Sequence, residues 1–205
     1  MKSLHRSDLF CWSAFNAERN LDFHGYFWHR PAGNVVIDPL DVSDHDAAHI
    51  DRLGGVAWVL ISNADHTRAA VAFQQRWGAK VAAPAGDAHL PVWTGLTVHS
   101  WLEAETILPC AIRCVAMEGG KTPGELAFLL PPGDTLYCGD LVRGQHAGAL
   151  NVLPLAKLAD PALAAASVGK LARMPGISAV LVGDGWPVFG DGARALRELA
   201  DRLAP

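Results

Sequence analysis

Four short segments of this 205-residue chain carry side chains of metal-ligand type. The first is Ile61-Ser-Asn-Ala-Asp65-His66, directly after an apolar run. The second, Glu118-Gly-Gly-Lys-Thr-Pro-Gly-Glu125, joins two segments of strand character. The third is Tyr137-Cys-Gly-Asp140 and the fourth is Val182-Gly-Asp184-Gly-Trp186. Taken singly, each has an ordinary role. Asp65 suits the first turn of a helix, and Asp140 and Asp184, beside glycines, suit turns. Taken together they pose an electrostatic problem. Three carboxylates and an imidazole on neighbouring strand ends repel one another unless a cation sits among them. The grouping therefore calls for a bound metal ion or for a basic side chain, and Lys121 lies within the second segment.

The elements that must position these residues follow from pattern. Leu9 to Phe15 and Phe23 to His29 are aromatic-rich strands, and Asn34-Val-Val-Ile-Asp38 is β-branched and stops at Pro39. His24 and His29 read as strand packing rather than ligands. Ser43 caps a helix through Leu53, with Asp44 and Asp46 in its first turn. Val56 to Ile61 is a strand buried on both faces. A helix is expected from Asp65 to Trp77, closed by Gly78, then a strand from Ala79 to Ala82. Further strands are expected at Thr97 to Trp101, Ala111 to Met117, Glu125 to Leu130 and Thr135 to Cys138. Pro161 opens a helix to Arg173, Ile177 to Val182 is a strand, and Ala193 to Leu203 is an amphipathic helix. The hairpins are too many for a doubly wound parallel sheet, whereas two packed sheets with helices outside satisfy the order.

These residues resemble the metallo-β-lactamase superfamily from about Asn34 to Gly190. Asn34 to Asp38 is similar to that family's early strand ending in Asp. Ile61 to His66 is similar to its His-x-His-x-Asp-His loop, and Gly120-Lys-Thr-Pro-Gly124 to its Gly-His-Thr-Pro-Gly loop. Cys138-Gly-Asp140 resembles the metal-bridging Gly-Asp, and Gly183-Asp184-Gly185 the late Gly-His-Gly. The resemblance implies a four-layer αββα sandwich, an α/β fold, with residues 1–205 as one domain. It also implies a hydrolase of ester, thioester, amide or phosphoester bonds. The departures are specific. Ile61, Asn63 and Lys121 stand at the positions of the first metal's histidines, so that site is lost. Asp65, His66, Asp140 and Asp184 stand at the second site.

Two functions follow. In the first, Asp65, His66, Asp140 and Asp184 hold one divalent ion. This hard donor set leans toward manganese, iron or magnesium, with zinc still admissible. A metal-bound water would attack the substrate. Lys121 would neutralise Asp140 and polarise the substrate's oxygen, and Asn63 or a free carboxylate would orient the water. In the alternative, no metal is bound, Lys121 pairs with Asp140 or Asp65, and the scaffold is a non-catalytic binding or interaction module. Lys121 discriminates the two, because an ammonium beside a metal is costly and beside unpaired carboxylates is stabilising. Trp28, Trp186 and Arg143 are expected to flank the cleft, with Arg143 able to hold a carboxylate or phosphate. A serine or cysteine nucleophile is not indicated: Cys11 and Cys138 have no histidine at a diagnostic spacing, and there is no Gly-x-Ser-x-Gly.

Composition narrows the partners. Half the residues are hydrophobic, 19% are charged, and the formal net charge is −4, a globular balance that does not favour nucleic acid. The longest clean apolar run, Val56 to Ile61, is far short of the roughly 20 residues a bilayer demands. No secretory signal pattern is visible at the N-terminus, and four scattered cysteines do not form a disulfide framework. Cys110 and Cys114 lack a second pair at zinc-ribbon spacing. The expectation is a cytoplasmic protein with a small-molecule substrate, no nucleic-acid or membrane partner, and tryptophans enough for a homodimer patch.

Overall fold

The computed structural model describes residues 1–108 and 110–204. Its first sheet has seven strands in chain order: β1 (Lys2–Ser3), β2 (Leu9–Asn16), β3 (Leu21–Trp28), β4 (Val35–Ile37), β5 (Trp58–Leu60), β6 (Lys80–Pro84) and β7 (Ser100–Leu102). Pairing is antiparallel from β1 to β4 and parallel from β4 to β7. The second sheet contains β8 (Arg113–Ala116), β9 (Leu126–Leu130), β10 (Thr135–Cys138) and, after the ribbon of β11 (Val142–His146) and β12 (Ala149–Val152), β13 (Ala179–Val182). Its order is β13-β10-β9-β8.

Alternation along the strands sorts side chains into three buried layers. Leu9 and Cys11 of β2, Val35 and Ile37 of β4, Tyr137 of β10 and Leu181 of β13 meet between the sheets. Trp12, Val36 and Val59 point the other way, under helices α1 (Asp44–Arg52) and α2 (Ala70–Trp77). Leu136, Cys138, Val180 and Val182 turn outward from the second sheet, under α3 (Pro161–Ala172) and α4 (Gly192–Leu203). Three apolar interfaces between four layers make the αββα sandwich. No helix is long and apolar enough to cross a membrane among the described residues.

Helix starts follow the expected chemistry. The Ser43 hydroxyl accepts the Asp46 N–H at 3.1 Å, and Asp160 accepts those of Ala162 and Leu163 at 2.8 and 3.0 Å, with Pro161 at the first helical position. The single helix expected over 65–77 is divided. A 3₁₀ turn covers Ala64–His66, Arg68 is left-handed at φ 35°, and α2 begins only at Ala70. The side chain of Asn63 accepts the Asp65 N–H at 2.9 Å and so caps the short turn. The hairpin of β11 and β12 and the two-residue β1 were not expected.

Buried acidic side chains clamp the loops at one end of the sandwich. Asp87 accepts the Ala64 N–H at 2.8 Å and the Gly124 N–H at 2.7 Å, tying the turn after β5 to the loop before β9. Replacing Asp87 by Ala leaves both N–H groups buried without this acceptor. The expected loss is about 2 to 4 kcal/mol in denaturant unfolding; a change under about 0.5 kcal/mol would show that the clamp is not needed.

Candidate functional site

Asp38, directly after β4, sets one wall of the cleft. It is fully buried and left-handed, φ 46°. Its carboxylate accepts the Ser62 N–H at 2.8 Å and the Ser62 hydroxyl at 2.5 Å. It also accepts His66 Nδ1–H at 2.6 Å and the Tyr137 hydroxyl. Burial alone would raise its pKa, but His66 first, then Arg68 and Ser62, hold it below the usual carboxylate range. With Nδ1 committed to Asp38, His66 presents Nε2 to the cleft as an acceptor. Gly183 leaves room for that ring, since a Cβ there would stand 2.8 Å from His66 Cε1.

Asp140 and Asp184 arrive from the second sheet, after β10 and β13. One donor atom each from His66, Asp140 and Asp184 lies within 4.8 Å of the others, a candidate metal-binding group by distance. Protein cations already meet those atoms. The buried Arg143 guanidinium bonds Asp140 Oδ1 and lies 3.0 Å from Asp184 Oδ2. Lys121 Nζ is 2.8 Å from Asp140 Oδ2 and 2.9 Å from Asp65 Oδ2. Arg68 Nη2 donates to His66 Nε2 at 2.9 Å and to Asp184 Oδ1 at 3.3 Å. Burial would raise the Asp140 pKa, yet His66, Arg143 and Lys121 together hold it well below the carboxylate range. The same pairing raises Lys121, against the opposing effect of its burial.

Glu125 is the opposite case. Its Oε1 accepts the N–H groups of Asp140 and Leu141 at 2.7 and 2.6 Å, while Oε2 has no hydrogen-bond partner among the described residues. Burial first, then the Asp140 charge, pushes its pKa up to about 7. Around these groups lies a polar cavity of about 290 Å³, whose lining includes Arg19, Phe23, His66, Arg68, Lys121 and Asp184.

The sequence model of the metallo-beta-lactamase superfamily matches residues 1–203. The chain belongs to that superfamily. A curated relative, the hydroxyacylglutathione hydrolase of Rhodobacter capsulatus, is 30% identical over 139 residues, 63% of this chain and 51% of the relative. The chain thus spans about half the length of that relative. Among solved structures, a metallo-beta-lactamase from Pontibacter korlensis superposes with a TM-score of 0.76 at 17% identity, covering 97% of this chain and 95% of the other. The mono-zinc form of FIM-1 from Pseudomonas aeruginosa superposes with a TM-score of 0.72 at 16% identity, covering 96% and 92%. At such identities these likenesses bear on the fold.

Of the residues expected to hold an ion, the superfamily fold brings His66, Asp140 and Asp184 together and leaves Asp65 apart. The Asp65 side chain is 49% exposed and is linked to Asp140 through Lys121. Turning the loop into a short 3₁₀ element puts the Asp65 carboxylate outward while His66 turns in. Asn63 is buried, with its carbonyl on the Asp65 N–H and its amide 3.3 Å from Ser62 Oγ, so its polar atoms serve the loop. Trp186 is exposed but does not line this cleft; it lies on a separate, mostly apolar cavity. Trp28 is buried between the sheets, and Arg143 lies inside the carboxylate cluster rather than at its rim. Arg68, Asp87 and Glu125 were not singled out. Arg68 carried one legible signal, a cation two residues past His66.

A metal ion among these donors would face two guanidinium groups already bonded to them. Its charge would be repelled in a poorly solvated cleft. As arranged, the residues do not fit a resident divalent ion. Asp140→Asn is therefore expected to destabilise the chain by about 3 kcal/mol at pH 7, by leaving Arg143 and Lys121 without their countercharge. An unneutralised carboxylate cluster would instead gain stability from the same substitution, and chemical unfolding tells the two apart.

The pH dependence has two opposed parts. Depressed Asp140 and Asp38 contribute stability that is present above the ordinary carboxylate range and lost as pH falls through their folded pKa values. Glu125 keeps its proton in the fold up to about 7, against an ordinary value of 4.5, so stability falls as pH rises across that window. Glu125→Gln is expected to gain relative to wild type between pH 5 and pH 8, by on the order of 3 kcal/mol at most. A flat difference across that range would contradict the assignment.

Proposed function

We propose that the polar cleft works without a resident metal ion and binds a small molecule bearing a carboxylate or similar anion. The observation that carries this reading is Arg143, buried between Asp140 and Asp184 and in contact with both. The positive charge that these carboxylates require comes from Arg143, Arg68 and Lys121. The donors that point outward then belong to the ligand. Arg19 is 41% exposed at the mouth and lies 4.0 Å from Asp184 Oδ2, so its planar fork is open to an incoming carboxylate. Lys121 uses two of its three N–H groups on Asp140 and Asp65, which leaves one for the same ligand.

A second reading, metal-dependent hydrolysis, has its own support. Superfamily membership and the likeness to a hydroxyacylglutathione hydrolase favour that general class. His66, Asp140 and Asp184 are the donors it would use, with zinc, manganese or iron as the ion. It requires Arg68 and Arg143 to withdraw from those donors.

Metal uptake separates the readings. Purified without chelator and incubated with zinc, manganese or iron(II), the wild type is expected to retain less than about a tenth of an equivalent. The Arg68→Ala/Arg143→Ala variant, with unchanged circular dichroism, is expected to retain more. A wild type that retains a full equivalent and loses it in Asp140→Ala decides for the metal-dependent reading. For the ligand, a panel of small carboxylates is expected to raise the melting temperature of wild type and not of Arg19→Ala.

A further inference from the structure

A second, mostly apolar cavity of about 550 Å³ takes Asp22 and His24 of β3, whereas Phe23 between them lines the cleft of the cation cluster. Leu4, Phe15, Leu21, Trp186, Pro187 and Phe189 give it an apolar lining. Three of these are exposed far beyond what packing demands: Phe15 at 64%, Trp186 at 59% and Phe189 at 43%. A contiguous exposed apolar rim around a concavity marks a site for an apolar ligand.

Two polar residues on that wall form a directed pair. Ser13 of β2 and His24 of β3 are cross-strand partners. Ser13 Oγ is 2.9 Å from His24 Nδ1, and His24 Nε2 is 2.6 Å from the Gly185 carbonyl oxygen. A carbonyl oxygen only accepts, so Nε2 carries the hydrogen. Nδ1 of the neutral ring is then the acceptor, and the Ser13 hydroxyl donates to it. The Gly185 carbonyl is fixed by its surroundings. Gly185 is left-handed at φ 86°, and a Cβ on it would stand 2.2 Å from the Gly144 oxygen. The result is an exposed hydroxyl, a base within reach, and a third group that orients the base. Burial of His24 also favours its neutral form.

We propose that Ser13 is a nucleophile, activated by His24, toward carboxylic esters with an apolar acyl chain or aromatic ring. Ser13 Oγ bonds to the ester carbonyl carbon as its proton passes to His24 Nδ1. The carbon–oxygen bond to the alcohol breaks, and the alcohol leaves with that proton. Water then attacks the acyl-serine, gives a proton through His24 Nδ1 back to Ser13 Oγ, and releases the acid. Throughout, Nε2–H stays on the Gly185 carbonyl, which stabilises the ring while it is charged. Lys2 and Gln145 line the same cavity and offer N–H donors to the carbonyl oxygen as it gains charge. The Gln145 Oε1 accepts from Asn151 at 3.2 Å, which leaves its amide N–H groups for that task.

The test uses the full chain with a fluorophosphonate probe and with p-nitrophenyl butyrate. The expected result is one label per chain, mapped to Ser13 by mass spectrometry, and ester turnover that EDTA does not change. Ser13→Ala should abolish the label and lower turnover at least about 100-fold. His24→Gln should slow labelling of the intact Ser13 by a similar factor, with its melting temperature reported alongside. A hydrogen bond that merely joins two strands predicts no label at Ser13, and that result overturns the proposal. So does turnover that survives in Ser13→Ala. If that surviving turnover is lost in EDTA, the hydrolysis belongs to the metal-dependent reading of the other cleft.

Discussion

Two carboxylates from the second sheet and one buried histidine–aspartate pair from the first must share a few ångströms of poorly solvated space. That arrangement is stable only with positive charge inside it, because desolvated like charges cannot all remain ionised. Arg143 supplies that charge at the centre, Arg68 bridges the two halves from His66 to Asp184, and Lys121 reaches from Asp65 to Asp140. The rest of the cleft is arranged around this requirement. Asp38 fixes which nitrogen of His66 faces inward, Asp87 pins the two loops that carry His66 and Lys121, and Glu125 holds the backbone that aims Asp140. A mobile ion tolerates small errors in ligand position by adjusting its coordination. A guanidinium bonded to two carboxylates has a fixed fork, so its partners have to be placed by such buried struts.

Much of the fold is legible in the sequence because its layers rest on period-two alternation and on helix caps. Leu9 to Phe15 and Thr135 to Cys138 read as strands, and period two then puts Leu9 and Cys11 opposite Trp12, and Tyr137 opposite Leu136 and Cys138, as the layers have them. Ser43 and Pro161 mark true helix starts. The segment after β5 fails for a local reason. From Asp65 to Trp77 helix-forming residues run almost without interruption, and nothing in the types shows that Arg68 adopts a left-handed backbone. That conformation is imposed from outside, by bonds of its guanidinium to His66 and to the His24 carbonyl. Tertiary contacts override propensity there.

The candidate site divides in the same way. The need for a cation among Asp140, Asp184 and His66 can be argued from residue types, and so can the role of Lys121 as a discriminator. Which cation fills the centre cannot. Arg143 lies three residues past Asp140 and reads equally well as a substrate-holding group, and only the return of β11 beside the Asp184 loop turns it inward. Asp65 illustrates the converse. Its type and spacing suit a ligand, yet a single 3₁₀ turn is enough to direct it to the rim. The Ser13–His24 pair is hidden for a third reason. Eleven residues of separation carry no catalytic signature, and the contact exists only because hairpin register sets Ser13 opposite His24.

The two cavities are not independent, since one strut separates them. The His24 N–H donates to the Gly183 carbonyl at 2.9 Å, its imidazole donates to the Gly185 carbonyl, and its own carbonyl accepts from Arg68 at 3.0 Å. Asp184 lies between those two glycines and carries the contacts to Arg68 and Arg143. A displacement of Arg68 would therefore disturb the backbone that holds the His24 ring, and a displacement of the Gly183–Gly185 turn would move Asp184 within its ion cluster. Rigid internal cations on one side thereby supply a fixed backing for the apolar cavity on the other. Were an exchangeable ion to hold Asp184 in their place, that backing would depend on occupancy. Neutralising the carboxylates with covalently attached charge removes this dependence.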